Sequence, residues 1–173
     1  MSSIYNILIS LFNRILPVIG LLSPNLKLFV TGRKSVFETL KNNIKAEDQV
    51  IWFHCASLGE YEQGVPVMQE LKKKHPTHKL LVTFFSPSGY EAKKNSNLAD
   101  VIVYLPIDTK SNAKRFLQLV QPTLAVFVKY EFWPNFLFEL KTANIPTVFI
   151  STSFREDQVF FKWYGGFVRK ALD

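Results

Sequence analysis

Apolar and polar positions along this chain fall into blocks that read alternately as strands and helices. Residues 4–23, IYNILISLFNRILPVIGLLS, form the longest apolar block. At a rise of ~1.5 Å per residue, one helix of this length is about long enough to cross a hydrocarbon core. Arg14, Asn13 and Pro17 sit near its middle, and an arginine at mid-bilayer costs roughly 2.5 kcal/mol or more. Three placements therefore compete: a helix lying in the membrane interface, a tilted span with a snorkelling Arg14, and a helix packed on a partner domain.

After a polar break at 47–49, the run 50–53 reads as a short, fully buried strand. Tyr61, Val65, Met68 and Leu71 then recur at helical spacing and predict a helix over 60–74, with Ser57 as N-cap and Glu60 as its capping-box partner. Pro66 must sit early in that helix or kink it. Residues 79–85 are a second strand, followed by the turn SPSG (86–89), which opens a short helix through Lys93. The third strand is 101–104. Asp108 is expected to cap the next helix, whose Ala113, Phe116, Leu117 and Val120 share one face. A fourth strand at 123–128, a helix with Pro134 near its start, a fifth strand at 146–150 and a glycine-interrupted helix at 160–172 complete the pattern.

Five strands alternating with helices predict an α/β fold with a Rossmann-like parallel sheet. In the usual strand order 3-2-1-4-5, strands one and four lie side by side where the chain reverses direction, and ligands gather in the crevice beyond their carboxyl ends. Glu60 follows strand one and Glu131 follows strand four. Topology alone thus brings two carboxylates, far apart in sequence, to one cleft. A general base needs a pKa raised by burial or by a like charge, and this pair can supply both. The competing reading is a helix-capping Glu60 and a surface Glu131. Lys129 would oppose the pKa rise.

Composition narrows the chemistry only modestly. The chain has 173 residues and a net charge of +7, which favours anionic partners. Its basic residues are scattered, which speaks against nucleic acid. A single cysteine, Cys55, leaves no disulfide framework and no multi-thiolate zinc site. His54, His75 and His78 have no metal-ligand spacing, so no metal is expected. His54 and Cys55 are adjacent on a strand and so point to opposite faces, which excludes them as a base and nucleophile pair. There is no GxGxxG and no Walker A sequence, and no cofactor is expected. Gly59 and the turn carrying Ser86, Ser88 and Gly89 offer helix-start N–H groups to a phosphate. Trp133, next to Phe132, either stacks on a sugar or fills the core. The basic residues Lys27, Arg33, Lys34, Lys41 and Lys45 that follow the apolar block would hold the rest of the chain on the cytoplasmic side.

The motifs HCASLGEYEQG (54–64), VTFFSPSGYE (82–91), VYLPID (103–108) and KYEFWPN (129–135), in this order and at these spacings, resemble the amino-terminal half of 3-deoxy-D-manno-octulosonic acid (Kdo) transferases. The resemblance covers residues 30–173. It implies the amino-terminal half of a GT-B glycosyltransferase, which would move Kdo from CMP-Kdo to a lipid A precursor in lipopolysaccharide core biosynthesis, by inversion and without a metal. On that resemblance, 1–25 would be a membrane-associating helix and 26–173 the acceptor-binding domain, with the carboxyl-terminal donor domain outside this chain. Glu60 matches the general base of the family's Ser-x-Gly-Glu motif, and Glu131 the glutamate before its Trp-Pro. Ser57, Gly59, Ser86, Ser88, Gly89, Tyr130 and Trp133 are expected to line the substrate site, and Arg33 and Lys34 to meet lipid phosphates. The family often has an acid where this chain has Lys129, and its arginine-containing turn after strand five differs here around Arg155. The implied location is the cytoplasmic face of the inner membrane. Two alternatives are a non-catalytic, membrane-associated lipid-binding module and another GT-B nucleotide-sugar enzyme.

Overall fold

The computed structural model describes residues 2–153 together with Gly166 and Arg169. In chain order the elements are α1 (Ser2–Ile19), α2 (Pro24–Lys34), α3 (Val36–Asn43), β1 (Val50–Cys55), α4 (Leu58–Lys74), β2 (Lys79–Phe84), α5 (Pro87–Lys93), β3 (Val101–Tyr104), α6 (Lys110–Val120), β4 (Pro122–Val128), α7 (Pro134–Thr142) and β5 (Thr147–Ile150). The five strands form one parallel sheet in the order β3-β2-β1-β4-β5. This is the predicted order, and it is consistent with the amino-terminal half of a GT-B glycosyltransferase. The expected helix at 160–172 lies, apart from Gly166 and Arg169, outside the described residues, as does Arg155.

Strand alternation divides the core in two. Trp52, Leu81, Val103, Ala125 and Phe127 face one side and pack on α3, α6 and α7. Ile51, Phe53, Cys55, Val82, Phe84 and Val126 face the other side and pack with Tyr61 and Met68 of α4. Helices on both faces explain why the strands read as continuous apolar runs. The face that α6 presents inward is the predicted one, Ala113, Phe116, Leu117 and Val120. Trp52 is the centre of the first layer, its ring 4.7 Å from Phe116 and 5.2 Å from Phe127. Burying a side chain of this class stabilises the fold by roughly 1.5–3 kcal/mol.

Two sequence expectations are corrected. The block 4–23 is not one helix: α1 ends at Ile19, and Ser23 caps α2 by accepting the Leu26 N–H at 3.3 Å, with Pro24 in the first helical turn. The helix direction turns by 118° between α1 and α2. The expected boundary at residue 25 therefore falls in the first turn of α2. Among the described residues, no single helix is long and apolar enough to cross a membrane. Asp108 does not cap α6, because Thr109 takes that position and accepts the Asn112 N–H at 3.2 Å. Asp108 instead reaches across to the start of α7, where it accepts the N–H groups of Asn135 (3.1 Å) and Phe136 (3.0 Å).

Helix α1 buries Leu16 and packs Ile9 against Val30 and Ile107, but leaves much of its apolar surface outward. Tyr5, Asn6 and Asn13 lie on its half-buried side, whereas Ile4, Ile7, Leu8, Leu11 and Val18 are each more than half exposed. Its polar side is fastened to the domain: the Tyr5 hydroxyl donates to Asp108 at 2.6 Å, and Asn135 Nδ2 donates to Asn6 at 2.8 Å.

Candidate active site

The site forms where β1 and β4 run side by side and their following loops diverge. Strand β1 extends through His54 and Cys55 before Ser57 caps α4, so Glu60 occupies the third position of that helix. There its carboxylate turns back on its own helix start, and Oε2 accepts the N–H groups of Ala56 (2.5 Å) and Ser57 (3.3 Å). The predicted capping box is present. Glu60 is nonetheless 9% exposed, and burial, followed by the charge of Glu131, raises its pKa above the ordinary carboxylate value. The two backbone N–H groups oppose that rise without cancelling it. Capping and chemical activation are therefore properties of one side chain. Lys129, expected to oppose the rise, is not among the groups acting on Glu60.

Glu131 lies on the loop between β4 and α7, its side chain 20% exposed. The Trp133 indole N–H points between two acceptors, Glu131 Oε2 at 3.0 Å and His54 Nε2 at 2.9 Å. On its other nitrogen, His54 Nδ1 lies 2.9 Å from Thr83 Oγ1, which also accepts from Trp52 Nε1 at 2.8 Å. His54 and Cys55 point to opposite sides of β1 as expected. His54 packs edge-on against Phe127 and Trp133, and Cys55 lies in the opposite layer. Burial, then Glu60 and Glu131, push the Cys55 thiol far above its ordinary range, so it stays protonated and inert.

A family model described as 3-deoxy-D-manno-octulosonic-acid transferase (kdotransferase) matches residues 32–173. The chain belongs to the Kdo transferase family. It is 35% identical over 106 residues to the 3-deoxy-D-manno-octulosonic acid transferase of Aquifex aeolicus (strain VF5), an alignment covering 61% of this chain and 29% of the relative. It is 35% identical over 102 residues to that of Haemophilus influenzae, covering 58% and 24%, respectively. With that of Chlamydia trachomatis serovar D it shares 25% over 130 residues, covering 74% and 30%. The matched segment thus spans less than a third of the length of these relatives.

Within this Kdo transferase fold, the other expected site residues separate into two groups. Ser57 and Gly59 stand beside Glu60 on the start of α4, Gly59 exposed and with open space where a Cβ would go. Ser86 and Ser88 lie at the neighbouring start of α5, where Ser86 N–H donates to Ala56 O at 2.8 Å and ties the two turns together. Gly89 does not offer its N–H to a phosphate. It is buried, donates to Ser86 Oγ at 3.2 Å, and a Cβ there would lie 2.7 Å from Phe84 and 3.0 Å from Leu58 N. Its glycine is required by the close approach of two helix starts.

The Tyr130 hydroxyl is bonded to the backbone of Ser153, and Trp133 holds its N–H on His54 and Glu131 while its ring packs 4.7 Å from Phe85. Both therefore shape the loop rather than present a free polar handle. Arg33 is the largest correction. Its guanidinium donates to the carbonyls of Leu105 (3.0 Å), Phe29 (2.8 Å) and Phe85 (2.8 Å) and lies 3.6 Å from the Phe29 ring centroid. Burial lowers its pKa to about 9. It braces α2 against the loops after β2 and β3, with its donors taken up by backbone carbonyls. Lys34 is exposed and, with Leu16, Val30 and Ile107, lines a cavity of about 210 Å³ beneath α1. His54 is the residue that spacing rules overlooked. The signal was its alternation with Trp52 on the inner face of β1, pointing toward the loop that carries Glu131.

Proposed function

We propose that this chain is the acceptor half of an inverting, metal-independent Kdo transferase acting at the cytoplasmic face of the inner membrane. Glu60 removes the proton from the acceptor hydroxyl of a lipid A precursor as that oxygen attacks the anomeric carbon of CMP-Kdo. The new carbon–oxygen bond forms on the face opposite the leaving group. The bond to the phosphate oxygen breaks, and CMP departs with its electron pair. In this reading the donor is held mainly by a second, carboxyl-terminal domain.

One observation carries the reading: the family's glutamate is buried against a second carboxylate at the switch point of the sheet, where burial and Glu131 raise its proton affinity. The membrane placement draws on α1, whose Ile4, Ile7, Leu8, Leu11 and Val18 face outward while Tyr5 and Asn6 hold the domain. An amphipathic helix of this kind lies in the interface plane with its apolar face in the acyl boundary. Exposed Lys34 lies close enough in sequence to meet anionic headgroups.

The decisive experiment is Kdo transfer by a full-length enzyme carrying Glu60→Gln. Transfer should fall by roughly 10²–10⁴-fold, the usual worth of a positioned base. Turnover within a few fold of the parent would overturn the assignment. A lipid-binding module without turnover is the reading that α1 alone favours. It requires vesicle binding by a parent chain that shows no transfer even with its carboxyl-terminal continuation.

A further inference from the structure

We propose that His54 is a positioning residue of this site: through the single indole N–H of Trp133 it holds the Glu131 carboxylate in place against Glu60. The inference rests on the reading of Glu60 as the base and adds what keeps its neighbour where it is. His54 is fully buried on β1 and cannot reach a substrate. Any effect it has on transfer must pass through other side chains.

Hydrogen-bond directions fix its form. Trp133 Nε1 has one hydrogen and can only donate, so the 2.9 Å contact to His54 Nε2 makes that nitrogen an acceptor and places the ring proton on Nδ1. Nδ1–H then donates to Thr83 Oγ1 at 2.9 Å. Thr83 Oγ1 accepts in addition from Trp52 Nε1 and donates its own hydrogen to Phe53 O at 3.3 Å. Every donor in this buried chain has an acceptor, the condition under which a polar network specifies one geometry. His54 Nε2 also lies 3.5 Å from Glu131 Oε2. With the Trp133 hydrogen between them, these two atoms are acceptors sharing one donor rather than partners in an ion pair.

The consequence concerns the loop that carries Glu131 from β4 to α7. Lys129 enters it in the left-handed region with φ 62°, and Glu131 is only partly buried. Its Oε2 is held by an N–H that is itself held by a buried ring. The titratable groups around the pair are His54 and Cys55 on β1, Glu60 on α4 and Glu131 on the loop. Of these, Glu131 raises the proton affinity of Glu60, and the neutral His54 ring adds no charge beside it. If Glu131 swings away, Glu60 becomes a weaker base.

The test uses the full-length enzyme carrying His54→Leu, Trp133→Phe or Glu131→Gln, each checked by circular dichroism and thermal melting. All three should lower kcat by about ten- to a hundredfold, the scale of a small misplacement in an active site, with the acceptor KM changed much less. All three should also move the acid limb of kcat/KM to lower pH. Glu131→Gln added to His54→Leu should move it no further, and His54→Gln, which keeps an acceptor for the indole N–H, should restore part of kcat. ¹⁵N shifts of histidine-labelled enzyme should show His54 protonated at Nδ1 and bare at Nε2. A folded His54→Leu enzyme with parental kcat and acid limb would overturn the proposal. If that variant does not fold, Trp133→Phe carries the same two outcomes, because it keeps an aromatic ring against Phe85 while deleting the donor. Failure of the Glu60 reading is separate: Glu60→Gln would then turn over normally, whatever the tautomer of His54.

Discussion

The starts of α4 and α7 follow neighbouring strands, and each is capped by a buried carboxylate, yet the two carboxylates differ in what else they touch. At α4, Glu60 comes from the first turn of the helix it caps, bonds two adjacent N–H groups and faces a second acid. At α7, Asp108 comes from the loop before α6, bonds the N–H groups of Asn135 and Phe136, and receives the Tyr5 hydroxyl as well. Burial raises the pKa of both, that of Asp108 to about 6. The difference lies in satisfaction. Asp108 is surrounded by donors and fully buried, so its environment makes it a joint between α1, α7 and the sheet. Glu60 has a like charge on its remaining side, so its environment leaves it short of a proton donor. A proton-abstracting role fits only the second.

The comparison breaks most readily at Glu60. Glu60→Gln keeps an acceptor for Ala56 N–H and removes the charge facing Glu131. Beside the 10²–10⁴-fold loss of transfer expected of it, its urea midpoint should stay level or rise. A folding defect of the size expected for Asp108 would erase the distinction between joint and base. Asp108→Ala should behave in the opposite way. It strands two buried amide N–H groups and a tyrosine hydroxyl, at about 1–3 kcal/mol each. A loss of roughly 3–5 kcal/mol is expected in denaturant unfolding, after the gain from removing a buried charge.

A third measurement sharpens the contrast through pH. Asp108 titrates near 6 in the folded chain against an ordinary 3.8, so the folded state binds the proton more tightly than the unfolded one. Stability from this group is therefore greatest at or below about pH 4. It falls as pH rises through about 6 and is level above that, a difference of about 3 kcal/mol. Urea midpoints at pH 4.5 and 7.5 should show this slope in the parent chain, and Asp108→Asn should remove it. The slope of Glu60 has the same sign, and Glu60→Gln should remove only its own share.

The smallest effect is expected at Gly59, one residue before Glu60. A Cβ there meets nothing within 4 Å, so Gly59→Ala should leave the unfolding free energy within about 0.5 kcal/mol of the parent. In a transfer assay it should raise the acceptor KM, because the added methyl stands on the exposed surface beside the base. An unchanged KM would move the acceptor away from the start of α4.

Most of the sheet was legible in the sequence because its signals are local. Strands buried on both faces are apolar runs of the right length, and Ser57 with Glu60 is a capping pair three residues apart. The pairing of Glu60 with Glu131 was legible too, because the strand order follows from handedness and alternation. Asp108 was misread because its partners lie 27 and 28 positions away, whereas capping rules look a few residues ahead. Arg33 was misread because a cation after an apolar segment suggests solvent or lipid. Nothing local shows three carbonyls converging on it from α2 and two distant loops. Helices α2 and α3 went unassigned, although Ser23-Pro24 carried a usable start signal: an N-cap serine with proline in the first turn. The inward placement of Tyr5 and Asn6 on α1 becomes visible only when their partners, Asp108 and Asn135, are located in space.

The fastening of α1 has a kinetic meaning. Tyr5 and Asn6 anchor this helix to Asp108 and Asn135, and Asn135 stands four residues from Glu131. With the outer face of α1 resting on a bilayer, the carboxylate pair would be carried at one fixed height above the headgroups. A lipid acceptor would then be found by lateral diffusion in two dimensions, at its surface density rather than its bulk concentration. Transfer rates per bound enzyme should accordingly scale with the mole fraction of acceptor in a vesicle and stay constant when a suspension of fixed vesicle composition is diluted with buffer.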